Sequence, residues 1–355
     1  MRRRFVLVII AVLILTAALV PTFTRRHVEE STRIGAYYYE WWNIEFNNHW
    51  ILGDIKGTPF LGYYNSSDSA CADQQIVYAK RYGIDFFAVS WMGKGDWIDW
   101  DFDDIDYNLR NGLLTADHMK DFSFCLFYET TLVLRNTIHN GNNFTQIFID
   151  DMDYALRYFT NPSYLRVNGN PVFIIYQIPY LYENYGVQNA HRLLDIVRQQ
   201  LAEKGVNLYI IGDMGSGPST AHLDSTQLYS LNATTSYLFS DPKEGWSKVL
   251  HDAQTYYPQW LSTANSQGIA FVPNAYPGFN NTLNKDASPP WTVLPCSEYA
   301  FKYMLQTALH NTDNNLEIVM ITSWNEWKEG TTIEPSVEQD ELFLRTVWNA
   351  IDKTP

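Results

Sequence analysis

Cysteine is scarce in this sequence: Cys71, Cys125 and Cys296 are the only three in 355 residues. Three scattered cysteines cannot make a disulfide framework, and no C-x-x-C pair suggests a zinc knuckle. A Cys71 to Cys296 bridge stays open, while Cys125 lies inside an apolar run and reads as core. The eight histidines include no H-x-x-x-H or H-x-x-E-H pair, so metal chemistry lacks its usual spacing. No metal or other cofactor is expected, and His49 stands alone as a histidine with a substrate-binding or a structural reading. No Gly-x-Gly-x-x-Gly or P-loop pattern follows a strand-like run, and no Gly-x-Ser-x-Gly marks a nucleophile elbow. Positive charge is short as well. Against 39 Asp and Glu stand 25 Lys and Arg, a net charge of -14 that repels a phosphate backbone, so nucleic acid is not an expected partner.

What is present is apolar and aromatic. Hydrophobic residues make up 46% of the chain and charged ones 18%, enough to bury a sizeable core and to exclude disorder. Twelve Trp and 24 Tyr provide walls suited to a neutral, hydroxyl-rich ligand with apolar ring faces, although most such rings belong to any Tyr-rich core.

The amino-terminal segment reads separately. Arg2, Arg3 and Arg4 precede an apolar stretch from Phe5 to Val20, and Arg25 and Arg26 follow it. This is the layout of an export signal or a signal anchor, so residues 1–26 are taken as that element and residues 27–355 as one catalytic domain. The expected location is outside the cytosol, membrane-anchored if the segment is retained and secreted if it is cleaved, with the chain acting as a monomer.

From residue 32 onward, short β-rich runs alternate with longer amphipathic stretches, the signature of repeated βα units. The runs are 34–39, 84–91, 122–128, 172–176, 208–212, 234–239, 269–274 and 318–323; helical patterns fall at 74–82, 147–159, 190–204, 246–264 and 298–311. Eight strands with crossovers predict an α/β fold, a single (β/α)8 TIM barrel.

In such barrels the active site lies at the carboxyl ends of the strands. Here those ends carry Tyr39-Glu40-Trp41, Ser90-Trp91, Tyr128-Glu129, Tyr176-Gln177, Asp213, Tyr237, Asn274-Ala275-Tyr276 and Trp324-Asn325-Glu326-Trp327-Lys328-Glu329. Carboxylates, amides and aromatics converging on one mouth fit a sugar site. Cleaving a glycosidic bond needs one group to protonate the leaving oxygen and a second carboxylate to assist at the sugar. Glu326 and Glu329 are assigned these roles. Their mutual repulsion and apolar surroundings raise one pKa and keep that group protonated near neutral pH. Tyr39, Trp41, Trp91, Glu129, Tyr237, Tyr276, Trp324 and Asn325 are assigned to substrate binding, with core roles for Tyr39 and Tyr237 as the alternative. Glu334, Glu338 and Asp340 read as solvated loop acids.

Several segments, namely Ala36-Tyr37-Tyr38-Tyr39, Leu61-Gly62-Tyr63-Tyr64-Asn65, Tyr164-Leu165-Arg166-Val167-Asn168-Gly169-Asn170-Pro171, Pro277-Gly278-Phe279 and above all Ser323-Trp324-Asn325-Glu326-Trp327-Lys328-Glu329-Gly330, resemble glycoside hydrolase family 99, the endo-α-1,2-mannosidases and mannanases and their relatives. The resemblance implies a (β/α)8 barrel that cleaves α-mannosidic bonds within a chain, with retention and without a metal. It further implies that Glu326 deprotonates the sugar's own 2-hydroxyl to give a 1,2-anhydro sugar, that Glu329 is acid and then base, and that Glu129 and Tyr237 line the pocket. Lys328 stands where that family commonly has histidine, and Thr130-Thr131 replace Pro-Tyr after Glu129; a cation between the two acids lowers both pKa values if it points inward. Alternatives are a hydrolase or transglycosylase of another surface polysaccharide and a non-catalytic glycan-binding barrel.

Overall fold

The computed structural model describes residues 32–44, 50, 55, 57–95, 104–215, 223, 225–282 and 292–351. The expected signal segment, residues 1–26, and His49 lie outside the described residues. Among the described residues no helix is long and apolar enough to cross a membrane.

Eight short runs form the staves of one parallel sheet: β1 (Arg33–Tyr38), β2 (Phe86–Trp91), β3 (Ser123–Tyr128), β4 (Asn170–Ile175), β5 (Tyr209–Asp213), β6 (Ala233–Thr235), β7 (Ala270–Phe271 with Asn274–Ala275) and β8 (Ile318–Ile321). Each pairs with the next in sequence, and β8 pairs with β1. The seventh stave joins both ends. Its first half pairs with β6 and its second half with β8, the change of partner falling at Val272-Pro273. Proline has no N–H to give a ladder, so the expected continuous strand at 269–274 is interrupted there; the Pro273 carbonyl still accepts from Met320 (2.9 Å). The result is a TIM-like α/β fold, a curled parallel sheet inside a layer of helices.

The reason the staves read as unbroken apolar runs is burial on both faces. All six residues of β2, Phe-Phe-Ala-Val-Ser-Trp, are inaccessible. The interior is filled so tightly that a Cβ on Gly35 would lie 2.2 Å from the Phe86 ring and 2.7 Å from the Met320 sulfur. Only glycine leaves room for both side chains at that level of the core.

Around the sheet run α1 (Ser69–Arg81), α2 (Asp104–Asn111), α3 (Thr130–His139), α4 (Phe144–Phe159), α5 (Ile178–Tyr185), α6 (Val187–Glu203), α7 (Gly245–Ser266), α8 (Glu298–His310) and α9 (Leu342–Ile351). Polar caps start several of them: Asp68 accepts from the amides of Ala70 and Cys71, and Ser297 from that of Ala300. Four helices, α2, α3, α5 and α9, are additional to the five expected. They are 8 to 10 residues long, too short for their period to stand out and stabilised by packing on the barrel rather than by propensity. Cys71 and Cys296 do not pair.

Candidate active site

Side chains alternate between the two faces of a strand, so each stave sends one residue into the mouth and the next into the helical layer. On β1, Tyr37 faces inward, its ring 4.6 Å from Phe127 and 5.1 Å from Tyr237. Tyr38 faces outward, donating to Gln75 of α1 (2.7 Å). Tyr39 then returns inward. On β2, Ser90 points in and donates to Glu129 (2.8 Å), while Trp91 points out.

Four carboxyls meet at the inner face. Glu326 is almost wholly buried; its Oε1 accepts from the Lys328 amide (3.0 Å), and its own amide donates to Ser323 Oγ (2.9 Å). Glu329 lies at the rim. The Tyr39 hydroxyl donates to that of Tyr237 (2.7 Å), which donates to Glu329 Oε2 (3.3 Å), so one chain of hydrogen bonds runs from the end of β1 to the acid loop. Glu129 and Asp213 complete the set, both buried. Trp41 is half-buried with its ring 4.4 Å from that of Tyr39.

Burial governs the acidity of this group. Removal from water raises Glu129 to about 8 and Asp213 to about 7, against the Ser90 hydrogen bond in the first case and three backbone amides in the second. Glu326 is pushed well above the ordinary carboxylate range by burial and then by the Glu329 charge, while the Lys328 cation pulls it down by less. Glu329 is also raised by burial, opposed by its hydrogen bond from Tyr237. Lys328 thus tempers one of the two acids without cancelling the effect of burial. Two interacting carboxyls with raised pKa values titrate as a pair and hold a proton between them near neutral pH, the shifts belonging to the pair rather than to either residue.

The loop that carries the pair is folded back on itself. Ser323 and Thr331 exchange backbone and side-chain hydrogen bonds (both 2.8 Å), the Glu334 amide donates to the Trp324 carbonyl (2.9 Å), and the Glu329 carbonyl accepts from the Asn280 amide (2.6 Å). The key to this closure is Glu334, expected to be solvated but in fact buried. Its carboxyl accepts from Tyr64 (2.9 Å), Gln75 (2.7 Å) and the Trp327 indole (3.1 Å), and burial lifts it to about 7 against those donors. Glu338 and Asp340 are exposed, as expected; Glu338 accepts from Thr58 and Asp340 pairs with Arg345.

Four residues assigned to substrate binding are placed elsewhere. Trp91 is fully buried in the helical layer, donating to Asp106 (3.1 Å) among Tyr128, Tyr154 and Tyr158. Trp324 is likewise on the outer face, 5.1 Å from Phe87. Tyr276 stacks on Trp246 and donates to the Phe239 carbonyl (2.7 Å). Asn325 is consumed by the scaffold: its amide group donates to the Tyr39 carbonyl (2.8 Å) and the Tyr64 hydroxyl (3.2 Å), and its oxygen accepts from the Tyr39 amide (2.8 Å). In each case the side chain follows a strand whose parity turns it away from the mouth, or finds backbone partners before it can face a ligand. Tyr39, Trp41, Glu129, Tyr237, Glu326 and Glu329 are the assigned residues that come together. Ser90 and Asp213 join them; their signal in the sequence was a polar residue at the end of an apolar run.

Comparison with known proteins places this geometry. A solved structure described as a glycoside hydrolase-like protein has a TM-score of 0.69 at 18% identity, covering 91% of this chain and 95% of that one. A family 99 endo-α-mannosidase from Bacteroides thetaiotaomicron gives 0.63 at 17% identity, over 90% and 97%. At these identities the likeness is one of fold. Among curated proteins, the uncharacterized protein WxcX of Xanthomonas campestris pv. campestris is 22% identical over 90% of this chain but 47% of its own length, so the chain spans about half of that relative. The model of the family described as glycosyltransferase WbsX matches residues 129–347, well over half of the sequence and the whole stretch from Glu129 through the acid loop, and the chain belongs to that family.

Proposed function

We propose that this protein is an endo-acting, retaining glycosidase that cleaves α-mannosidic bonds, of the α-1,2-mannan type, inside a glycan or polysaccharide, with Glu326 as base and Glu329 as acid. The observation that carries the reading is the pair of carboxyls on one closed loop, both raised by burial and Glu326 further by the Glu329 charge, with the Tyr237 hydroxyl hydrogen-bonded to Glu329. The fold likeness to an endo-α-mannosidase supports the substrate class. Glu326 removes the proton of the substrate's 2-hydroxyl as that oxygen attacks the anomeric carbon. The bond to the leaving sugar breaks, and Glu329 gives its proton to the departing oxygen. Water then opens the 1,2-anhydro sugar, losing a proton to Glu329, while O2 recovers one from Glu326. Two inversions give net retention, and both carboxyls end as they began. Tyr39, Trp41 and Glu129 line the sugar site in this reading.

The family's description favours a second reading, transfer to another sugar hydroxyl in place of water. Such an acceptor enters at the same step and needs no other machinery. Transfer from a nucleotide sugar is a poorer fit, because Glu129, Glu326 and Glu329 would face the diphosphate. The chain acts outside the cytosol as a monomer, with residues 1–26 as its export element; cell fractionation and sedimentation test those points. The deciding experiment incubates the chain with α-mannans and other α-glycans, beside Glu326→Gln and Glu329→Gln, and follows products by NMR. Release of α-configured oligosaccharides by wild type alone supports the mechanism. Inverted products, or equal turnover by either variant, would sink it; products extended by added acceptor sugars select transfer.

A further inference from the structure

Asp213 ends β5 with no accessible surface and belongs to neither acid role. Its oxygens accept three backbone amides: Oδ1 from Tyr237 (2.6 Å), Oδ2 from Gln177 (3.0 Å) and Gly215 (3.1 Å). Those amides lie just beyond the ends of β4, β5 and β6, so one carboxyl ties three neighbouring staves at the level of the mouth. Regular pairing of β5 with β6 stops at Asp213 and Thr235; beyond it the Met214 amide donates to the Thr235 carbonyl (2.9 Å) and the Leu238 amide to the Gly215 carbonyl (3.4 Å), and Asp213 adds the end of β4 to these two segments. Gln177 and Gly215 hold left-handed backbone there (φ 44° and 75°), and a Cβ on Gly215 would come within 2.9 Å of the Gln177 side chain. Of the three tied segments, that of Tyr237 carries a hydroxyl to Glu329. Its far side is held by Thr322, whose hydroxyl donates to the Tyr237 carbonyl (2.7 Å).

We infer that Asp213 is a positioning residue for the reaction: by accepting the Tyr237 amide it fixes the phenol at hydrogen-bond distance from Glu329. The inference rests on the reading of Glu329 as the acid. Glu329 is faced by Glu326 of its own loop, on which the Lys328 cation acts, by Tyr39 after β1, Glu129 after β3, Tyr176 after β4 and Tyr237 after β6. Among these the Tyr237 hydroxyl is the group that holds the Glu329 carboxylate against burial. A displaced Tyr237 therefore leaves Glu329 a weaker acid, whereas loss of a purely structural tie would lower stability and leave that titration where it was.

The test titrates the full chain with 13C-labelled Glu carboxyls by NMR, the Glu329 signal being identified by its loss in Glu329→Gln. Tyr237→Phe is expected to move the Glu329 midpoint upward by about half a pH unit to one unit, as befits one long charge-assisted hydrogen bond. Asp213→Asn is expected to move it in the same direction, and the double variant no further than Tyr237→Phe alone. If Asp213→Asn does not fold, Asp213→Glu keeps both oxygens and the charge but shifts them by a methylene, and is read in the same way. A wild-type midpoint in the Asp213 variant, beside a shifted one in Tyr237→Phe, overturns the inference. The readout needs no turnover. Shifted midpoints in a protein that cleaves no glycan would uphold the coupling and remove the reaction assigned to Glu329.

Discussion

Glu329 and Glu334 stand at the two ends of one short loop, both with acidities displaced upward by burial, yet their surroundings differ in kind. Glu334 accepts hydrogen bonds from three side chains, two of them from segments more than 250 residues away in sequence. Glu329 accepts one side-chain bond among the described residues, and a long one. A raised pKa therefore does not distinguish a reactive carboxyl from a structural one. What distinguishes them is unsaturation: an oxygen with capacity to spare can bind a sugar hydroxyl or pass on a proton, while a saturated one holds the loop in shape.

The sharpest way to break this contrast is to neutralise each acid in turn. Glu326→Gln and Glu329→Gln are each expected to lower kcat/KM by about a thousandfold or more, within the range of general acid-base catalysis, with unfolding midpoints close to wild type. Glu334→Ala should do the reverse first, removing about 3 kcal/mol of stability in denaturant titration because three buried donors lose their acceptor. A Glu334→Ala protein as stable as wild type would erase the distinction. Trp91→Phe sharpens it from outside the mouth. Losing the bond to Asp106 should cost about 1 kcal/mol of stability and leave glycan affinity, measured by calorimetry, unchanged.

The contrast also bears on the pH dependence of stability. Glu129, Asp213 and Glu334 have folded pKa values of about 8, 7 and 7, above the 4.5, 3.8 and 4.5 of the free groups. The folded state thus binds more protons than the unfolded one in that interval. Stability is full below the unfolded values and declines as pH rises toward 8. Melting temperatures from pH 5 to 8 should fall for wild type and fall less for Glu334→Gln. A rise over that interval would mean that these carboxyls are ionised in the folded protein at mildly acidic pH.

Much of the fold was legible because βα units announce themselves. Each of the eight expected runs overlaps a stave, and the five expected helices overlap helices of the structure. The two acids and the Tyr39, Glu129 and Tyr237 cluster could be read from polar residues that end apolar runs. Facing could not. In a sheet covered on both sides the hydrophobic alternation disappears, so nothing in Phe86–Trp91 marks Ser90 as inward and Trp91 as outward. Register decides it, since Ser90 lies beside Phe127 and Trp91 beside Tyr128. Glu334 was unreadable for another reason: its partners Tyr64 and Gln75 reach it only through the closure of the barrel.

That closure has a weak place. The seventh stave holds its neighbours through the shortest ladders of the ring, two residue pairs on each side, with a proline between them. Where few backbone bonds hold, local opening costs least, so in native-state deuterium labelling the amides of Val272 and Met320 should exchange ahead of those of Ala88 and Leu126. Asn280, a few residues beyond this seam, grips the Glu329 carbonyl. The stave with the shortest ladders is thus joined, through the Asn280 amide, to the loop that carries Glu329, so an early exchange at Val272 should be accompanied by early exchange of the Asn280 amide as well.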